Sequence, residues 1–206
     1  MGLFSFLKSS KPAYTDRVWR TADKALVGIV TDAMLAITRK QIPIVLCFFE
    51  DEFEQITKFL TEKGVPAIPL KAYHTEKQPG VVWYAAATSA PEYISALASQ
   101  PVTILFYGHY PLPSKENDLL QKLQTGFPSA SVVFYSSFDE PAFKLFGGER
   151  LTSLLDSMGM KEDEAIEHKL VSASMKRARE KVESMVRVES PATSEKEWFA
   201  KNVKSV

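Results

Sequence analysis

The chain is poor in cysteine and has no net charge. A single cysteine, Cys47, occurs in 206 residues, so no intramolecular disulfide framework can form and a reducing cytoplasm is the expected setting. Lys+Arg number 25 and Asp+Glu 25. With no basic excess to neutralise phosphates, no nucleic-acid partner is expected. Long apolar runs are missing at the start. Met1-Gly-Leu-Phe-Ser-Phe-Leu-Lys8 offers seven residues before its first lysine, too short to span a bilayer and without a basic leader. Position 6 is Phe where N-myristoylation wants Ser or Thr. Residues 1–8 then read either as a peripheral membrane contact or, the favoured reading, as a frayed terminus or a strap packed on the domain.

Two phosphate-binding motifs are missing as well. None of the nine glycines precedes a lysine, which excludes a G-x-x-x-x-G-K-[ST] loop. No G-x-G-x-x-G fingerprint occurs, so a dinucleotide site of that kind is excluded. There is no G-x-S-x-G elbow. His74, His109 and His168 lack metal-ligand spacing, so no zinc site and no cofactor are expected.

Hydrophobic residues at 45% and charged residues at 24% suffice for a packed core at this length. Apolar runs alternate with helical patterns. Strands are expected over 42–49, 67–70, 81–87, 102–107 and 131–136, and helices over 23–38, 51–63, 91–99 and 114–125. Pro69 argues against a central position for the second strand. Alternation at these lengths predicts an α/β fold, a three-layer α/β/α domain whose mainly parallel sheet has about five strands. After Asp139 the strands cease. Two short helices, split at Gly147-Gly148, are expected over 140–158 and a longer one over 163–187. The division is an N-terminal segment 1–13, an α/β domain 14–138, a helical extension 139–188 and a polar tail 189–206. The tail is expected to dock weakly or not at all.

Several residues invite a chemical reading. Ile44-Val-Leu-Cys-Phe-Phe-Glu-Asp-Glu52 is an apolar strand ending in acids, the form of a Mg²⁺-holding segment. Without a phosphate loop, helix capping by these acids is the better account. Cys47 sits in that strand and reads as a core thiol. Gly108-His109-Tyr110-Pro111 follows a strand, at the edge where open α/β sheets bind ligands. Glu50, His109 and Lys115 are the weak candidates for nucleotide binding. Along 163–187, Ile166, Leu170, Met175, Val182 and Met185 form an apolar stripe that either folds back on the domain, the favoured reading, or docks a partner.

The stretch Phe134-Tyr-Ser-Ser-Phe-Asp-Glu-Pro-Ala-Phe-Lys-Leu-Phe-Gly-Gly-Glu-Arg150 leads on to Leu154-Leu-Asp-Ser-Met-Gly-Met160. Then come Glu164-Ala-Ile-Glu-His168 and Met175-Lys-Arg-Ala-Arg-Glu-Lys-Val-Glu183. Together they resemble SecA, the motor ATPase family of bacterial preprotein translocation. The match is to the end of its second nucleotide-binding domain and the start of its helical scaffold. Asp16-Arg-Val-Trp-Arg-Thr21 with Lys24, Pro43-Ile-Val-Leu46, and Glu54 to Val65-Pro66 extend the resemblance thinly backwards. It implies a RecA-like fold.

The departures are as informative. Where SecA carries a Gly-Arg-Gly-Thr-Asp loop, this chain reads Thr88-Ser-Ala-Pro-Glu92. Where SecA carries an arginine-rich segment reaching ATP, residues 114–131 hold only Lys115 and Lys122 as bases. An arginine finger is worth about 10³-fold or more in phosphoryl transfer. The resulting expectation is a non-catalytic, stand-alone relative of the motor domain, not itself an enzyme. It would act in the cytoplasm or at the membrane periphery as a protein-interaction module, its partner a translocation component or a second copy. The alternative is a nucleotide-binding protein with a weak or trans-complemented ATPase role.

Overall fold

The structure is a computed structural model and describes residues 14–97, 99–146 and 164–203. Its strands are β1 (Thr15–Trp19), β2 (Ile42–Cys47), β3 (Ala67–Pro69), β4 (Val82–Ala86), β5 (Val102–Tyr107) and β6 (Ser131–Ser137). Its α-helices are α1 (Ala22–Thr38), α2 (Glu50–Glu62), α3 (Tyr73–Glu76), α4 (Ile94–Leu97), α5 (Pro113–Gly126), α6 (Pro141–Phe146), α7 (Lys169–Met185) and α8 (Glu195–Asn202). The strands form one sheet in the order β1-β6-β5-β2-β4-β3, parallel at every pairing. A helix layer lies on each face, which makes a three-layer α/β fold consistent with the RecA-like class.

The alternation of strand side chains decides which layer meets which residue. Val45, Cys47, Leu105, Val133 and Tyr135 face α1 and α2, where they meet Ala25, Ile29, Ala33, Ile56 and Leu60. Ile44, Leu46, Ile104, Phe106, Val132 and Phe134 face the other way, onto Leu97 of α4 and Leu120 and Leu123 of α5. Central strands buried on both faces need continuous apolar runs, and β2 and β5 have them. Pro69 lies on β3, the far edge strand, where a missing N–H costs no ladder bond.

Six strands replace the five expected, and the extra one is β1. Thr15-Asp-Arg-Val-Trp19 pairs with β6 from Thr15↔Val133 to Trp19↔Ser137. An edge strand needs no continuous apolar run, and only Val18 within it is buried. The helix expected from residue 163 begins at Lys169. His168 caps it, its Nδ1 accepting the Leu170 N–H at 3.2 Å. Ile166 instead forms an antiparallel bridge to Val18, with Ile166 N–H donating to the Val18 carbonyl at 2.8 Å. The bridge extends pairing onto the outer side of β1, a common way of protecting an edge. Pro91 falls in a 3₁₀ helix over Ala87–Tyr93 rather than an α-helix. The second of the two short helices expected over 140–158 lies outside the described residues, as do residues 1–8.

Residues 189–203 depart most from expectation. Ser194 caps α8 by accepting the Glu197 N–H at 3.1 Å. Trp198 and Phe199 are buried against Phe49, Leu112, Ala142 and Val182. The segment is polar in composition, and its single aromatic pair anchors it.

Gly28 of α1 lies under the Trp19 ring, where an added Cβ would meet Cζ2 at 2.4 Å. Gly28→Ala is expected to cost about 1–3 kcal/mol through overpacking, despite alanine's better helix propensity. A urea midpoint equal to or above that of the native chain would contradict this.

Candidate functional site at the carboxyl edge of the sheet

Three loops meet at the carboxyl ends of the strands: Phe48–Phe49 after β2, Gly108–Leu112 after β5 and Phe138–Glu140 after β6. Between them and the start of α1 opens a cavity of about 640 Å³ lined by Ala22, Glu52, Tyr107, Gly108, Glu140 and Glu195, among others. Its place at the strand ends is the position where open α/β sheets bind ligands. Gly108 is required here on two counts. Its φ is +76°, and a Cβ would stand 3.1 Å from Glu52 Oε1.

The backbone amides that line such an edge are the natural receptors for anions. In this chain they are already occupied by acceptors of the chain itself. Glu52 Oε2 accepts from Phe48 N–H at 3.0 Å and Phe49 N–H at 3.2 Å. Asp139 accepts from Ala22 N–H at 3.0 Å, and Glu140 from Ser137 N–H at 3.2 Å. Glu183 accepts from Ser114 N–H at 3.0 Å. At α2 the carbonyl of Thr193 accepts from Glu50 N–H at 3.0 Å and Asp51 N–H at 3.4 Å. The cavity is therefore carboxylate-rich. Burial pushes the Glu52 carboxyl up to about 8, partly offset by the Phe49 and Phe48 amides. Burial also raises Glu140. Glu195 is raised well above the ordinary range by desolvation and by its neighbours Glu140 and Glu52. Chemically the pocket disfavours an added anion unless these carboxyls are protonated.

Beside it runs a buried ionic network. His109 is 4% exposed and stacks on Phe134 at 4.2 Å between ring centroids. Its Nε2 lies 3.2 Å from Asp16 Oδ1 of β1 and its Nδ1 3.0 Å from Glu116 Oε2 of α5. Arg179 of α7 closes the circuit, with Nη2 2.8 Å from Glu116 Oε1. Its Nε and Nη2 donate to the Tyr110 carbonyl at 3.0 and 2.8 Å. Glu116 also accepts the Tyr110 N–H at 2.9 Å. Burial acts to lower the His109 pKa, but Glu116 and Asp16 outweigh it and hold the imidazole up at about 9. Glu116 is held below its usual value, because His109 and Arg179 outweigh its own desolvation. The network joins β1, the loop after β5, α5 and α7.

The three nucleotide candidates do not assemble. His109 is enclosed in that network. Lys115 ion-pairs with Glu189. Glu50 is exposed, its N–H taken by Thr193. Of the stripe residues, Ile166, Met175 and Val182 are buried within the chain. Met185 is half-buried, and Leu170 alone is exposed, at 54%. The stripe thus covers its own domain. Sequence reasoning missed Arg179, Glu116 and Asp16. A usable signal existed at Arg179, a cation at helical spacing within the row Met175, Ala178, Val182. Cys47 is buried and its thiol pushed up by desolvation, consistent with a core role. Among the described residues no group of three His, Cys, Asp or Glu side chains is placed to hold a metal ion. Among them also, no helix is long and apolar enough to cross a membrane.

No family model matches the chain. It is 26% identical over 192 residues to the protein translocase subunit SecA of Syntrophobacter fumaroxidans, an alignment covering 86% of this chain and 23% of that protein. It is 24% identical over 183 residues to that of Halothermothrix orenii, covering 82% and 22%. The chain is SecA-related. A shorter stretch of 51 residues is 53% identical to the SecA of Rubrobacter xylanophilus. The chain spans between a fifth and a quarter of the length of the first two SecA proteins. One expectation needs correction at this point. The missing phosphate loop and arginine finger led to the expectation of a non-enzyme. The relatives are nonetheless SecA subunits, members of an ATPase family, and no feature of the structure demonstrates lost catalysis.

Proposed function

We propose that this SecA-related chain serves protein translocation as a protein-interaction module. The observation that carries the reading is the extent of the likeness. It runs over 82–86% of the chain in three relatives, each a protein translocase subunit SecA. The network at Arg179 supports it by fixing the helical extension rigidly to the sheet edge, which suits a surface presented to a partner. The module works in the cytoplasm or at the membrane periphery, with a translocation component as its partner. The test is sedimentation of the purified chain with purified SecA from the same cell. A Kd at or below about 10 µM is expected, a free energy near −7 kcal/mol. No co-sedimentation at ten times that concentration would overturn the reading.

A second reading is nucleotide binding, for which the cavity's place at the ligand edge of the sheet speaks. That the backbone amides of this edge are already taken by the chain's own acceptors speaks against it. Titration calorimetry with ATP and Mg²⁺ decides. The interaction reading expects no heat below millimolar ATP, and binding tighter than that would favour the nucleotide reading. Peripheral membrane contact through residues 1–8 is tested by vesicle co-sedimentation with and without that segment.

A further inference from the structure

Of the six large hydrophobic side chains exposed among the described residues, three stand on one helix. Val27 is 47% exposed, Met34 39% and Leu35 41%, all on α1. At 3.6 residues per turn they share a face with Thr31 and Thr38, opposite the row Ala25, Ile29 and Ala33 that packs on the sheet. Both threonine hydroxyls turn back onto the helix, donating to the Val27 and Leu35 carbonyls at 2.7 Å. Between Val27 and Thr38 the outer face therefore carries no charged side chain and spends its hydroxyls internally. A helix apolar on both sides is normally covered on both, and a contiguous apolar patch marks a contact.

The chain enters β1 beside this face. Thr15 is the sheet partner of Val133. Val133 lines, with Leu35, Ala36, Arg39 and others, a groove of about 240 Å³ between α1 and the sheet. Thirteen residues precede Tyr14, and the first seven include Leu3, Phe4, Phe6 and Leu7. Lys8 to Ala13 can span about 20 Å when extended, whereas Leu35 and Val27 stand about 12 Å apart along the helix. The apolar residues are thus tethered within reach of the whole patch, at an effective concentration in the millimolar range. That favours them over a second copy or a lipid surface.

We propose that the outer face of α1 is the seat of the chain's own N-terminal segment, with Leu3, Phe4, Phe6 and Leu7 packed over Val27, Met34 and Leu35 as a strap. This goes beyond the interaction reading and does not depend on it. Its consequence is competition: α1 and a membrane would draw on the same apolar side chains.

The test is methyl NMR of the full chain, isotope-labelled at the methionine methyls, with a maleimide nitroxide on the variant Ser5→Cys. Cys47 is buried, so position 5 takes the label. The Met34 signal is expected to fall at least twofold relative to the same sample with the nitroxide reduced. Met175, which packs with Val18 on the other face of β1, should fall less. Adding Phe4→Ser/Phe6→Ser should restore Met34, and so should Val27→Ser/Leu35→Ser with far-UV circular dichroism unchanged. If the α1 variant fails to fold, the segment variant alone decides. An unbroadened Met34 would overturn the proposal, as would broadening that persists in the segment variant. Equal broadening when nitroxide and isotope are on different chains in a mixture would also overturn it, since the occupant would then be a second copy. So would loss of the broadening on adding vesicles of anionic lipid, because the lipid surface would then hold the segment. Broadening that survives those vesicles supports the strap.

Discussion

Arg179→Ala is expected to lower stability by about 3–5 kcal/mol, the usual consequence of removing one partner of a buried ion pair. The guanidinium is 4% exposed and Glu116 is 2% exposed. Without Arg179, Glu116 keeps only His109 as a counter-charge, and the Tyr110 carbonyl loses its two guanidinium donors, Nε and Nη2. An orphaned buried acceptor adds about 1–3 kcal/mol to a lost bond. Two further variants separate charge from packing. Arg179→Lys restores the charge but not the forked geometry, and should recover part of the loss. Arg179→Met with Glu116→Gln removes both charges and should be more stable than Arg179→Ala alone. Urea unfolding gives the ranking. Hydrogen exchange gives the location, with α7 amides quickening before those of β2 and β5. An Arg179→Ala midpoint within error of the native chain would show that the network carries no net stability.

How legible this was in the sequence follows from what each segment buries. β2 and β5 are enclosed on both faces, so their burial is written as continuous apolar runs, and both strands could be read directly. β1 is an edge strand with one fully buried side chain, Val18, and nothing in Thr-Asp-Arg-Val-Trp marks it as strand without its neighbour β6. The register that brings Asp16 towards His109 was invisible for the same reason. The start of α7 was misplaced because Glu162, Asp163 and Glu164 look like a helix N-terminus. The true cap is His168, and Ile166 is diverted to Val18 by a tertiary bridge. Residues 189–203 are polar on average, and the one apolar pair visible among them, Trp198-Phe199, gives no sign in the sequence of how deeply it is buried. A single buried Trp-Phe contact outweighs many solvated lysines and glutamates, since only the buried groups change their environment on docking. The candidate site was half legible. Its place at the strand ends followed from the α/β pattern. Its carboxylate lining could not be read, because Glu52, Glu140 and Glu195 stand far apart in sequence and meet only through the fold.

Those carboxyls and His109 make stability strongly dependent on pH, and the sign can be worked out group by group. His109 is raised from 6.5 to about 9 in the folded chain. Its contribution is fully present below the unfolded value and is lost as pH rises through 9. A shift of this size corresponds to roughly 3 kcal/mol. Glu116 is lowered, so its contribution is present above its unfolded value and is lost on acidification. Glu52 is raised from 4.5 to about 8. The unfolded chain releases this proton first, and folding grows less favourable as pH climbs from 4.5 towards 8. Glu140 and Glu195 are raised too and act in the same direction. All but Glu116 therefore favour the acid side of neutrality. The melting temperature is expected to be highest near pH 5 and to fall continuously to pH 9. Two variants divide the slope. Glu52→Gln keeps an oxygen for the Phe48 and Phe49 amides but cannot ionise, so it should flatten the decline between pH 5 and 8 and stabilise the chain at pH 8. His109→Phe keeps a ring on Phe134 and should flatten the limb between pH 7 and 9, from a lower starting stability because Asp16 loses the imidazolium and Glu116 keeps only Arg179. A melting temperature that stays level from pH 6 to 9 in the native chain would mean that neither the pocket carboxyls nor the imidazole titrates as their surroundings require.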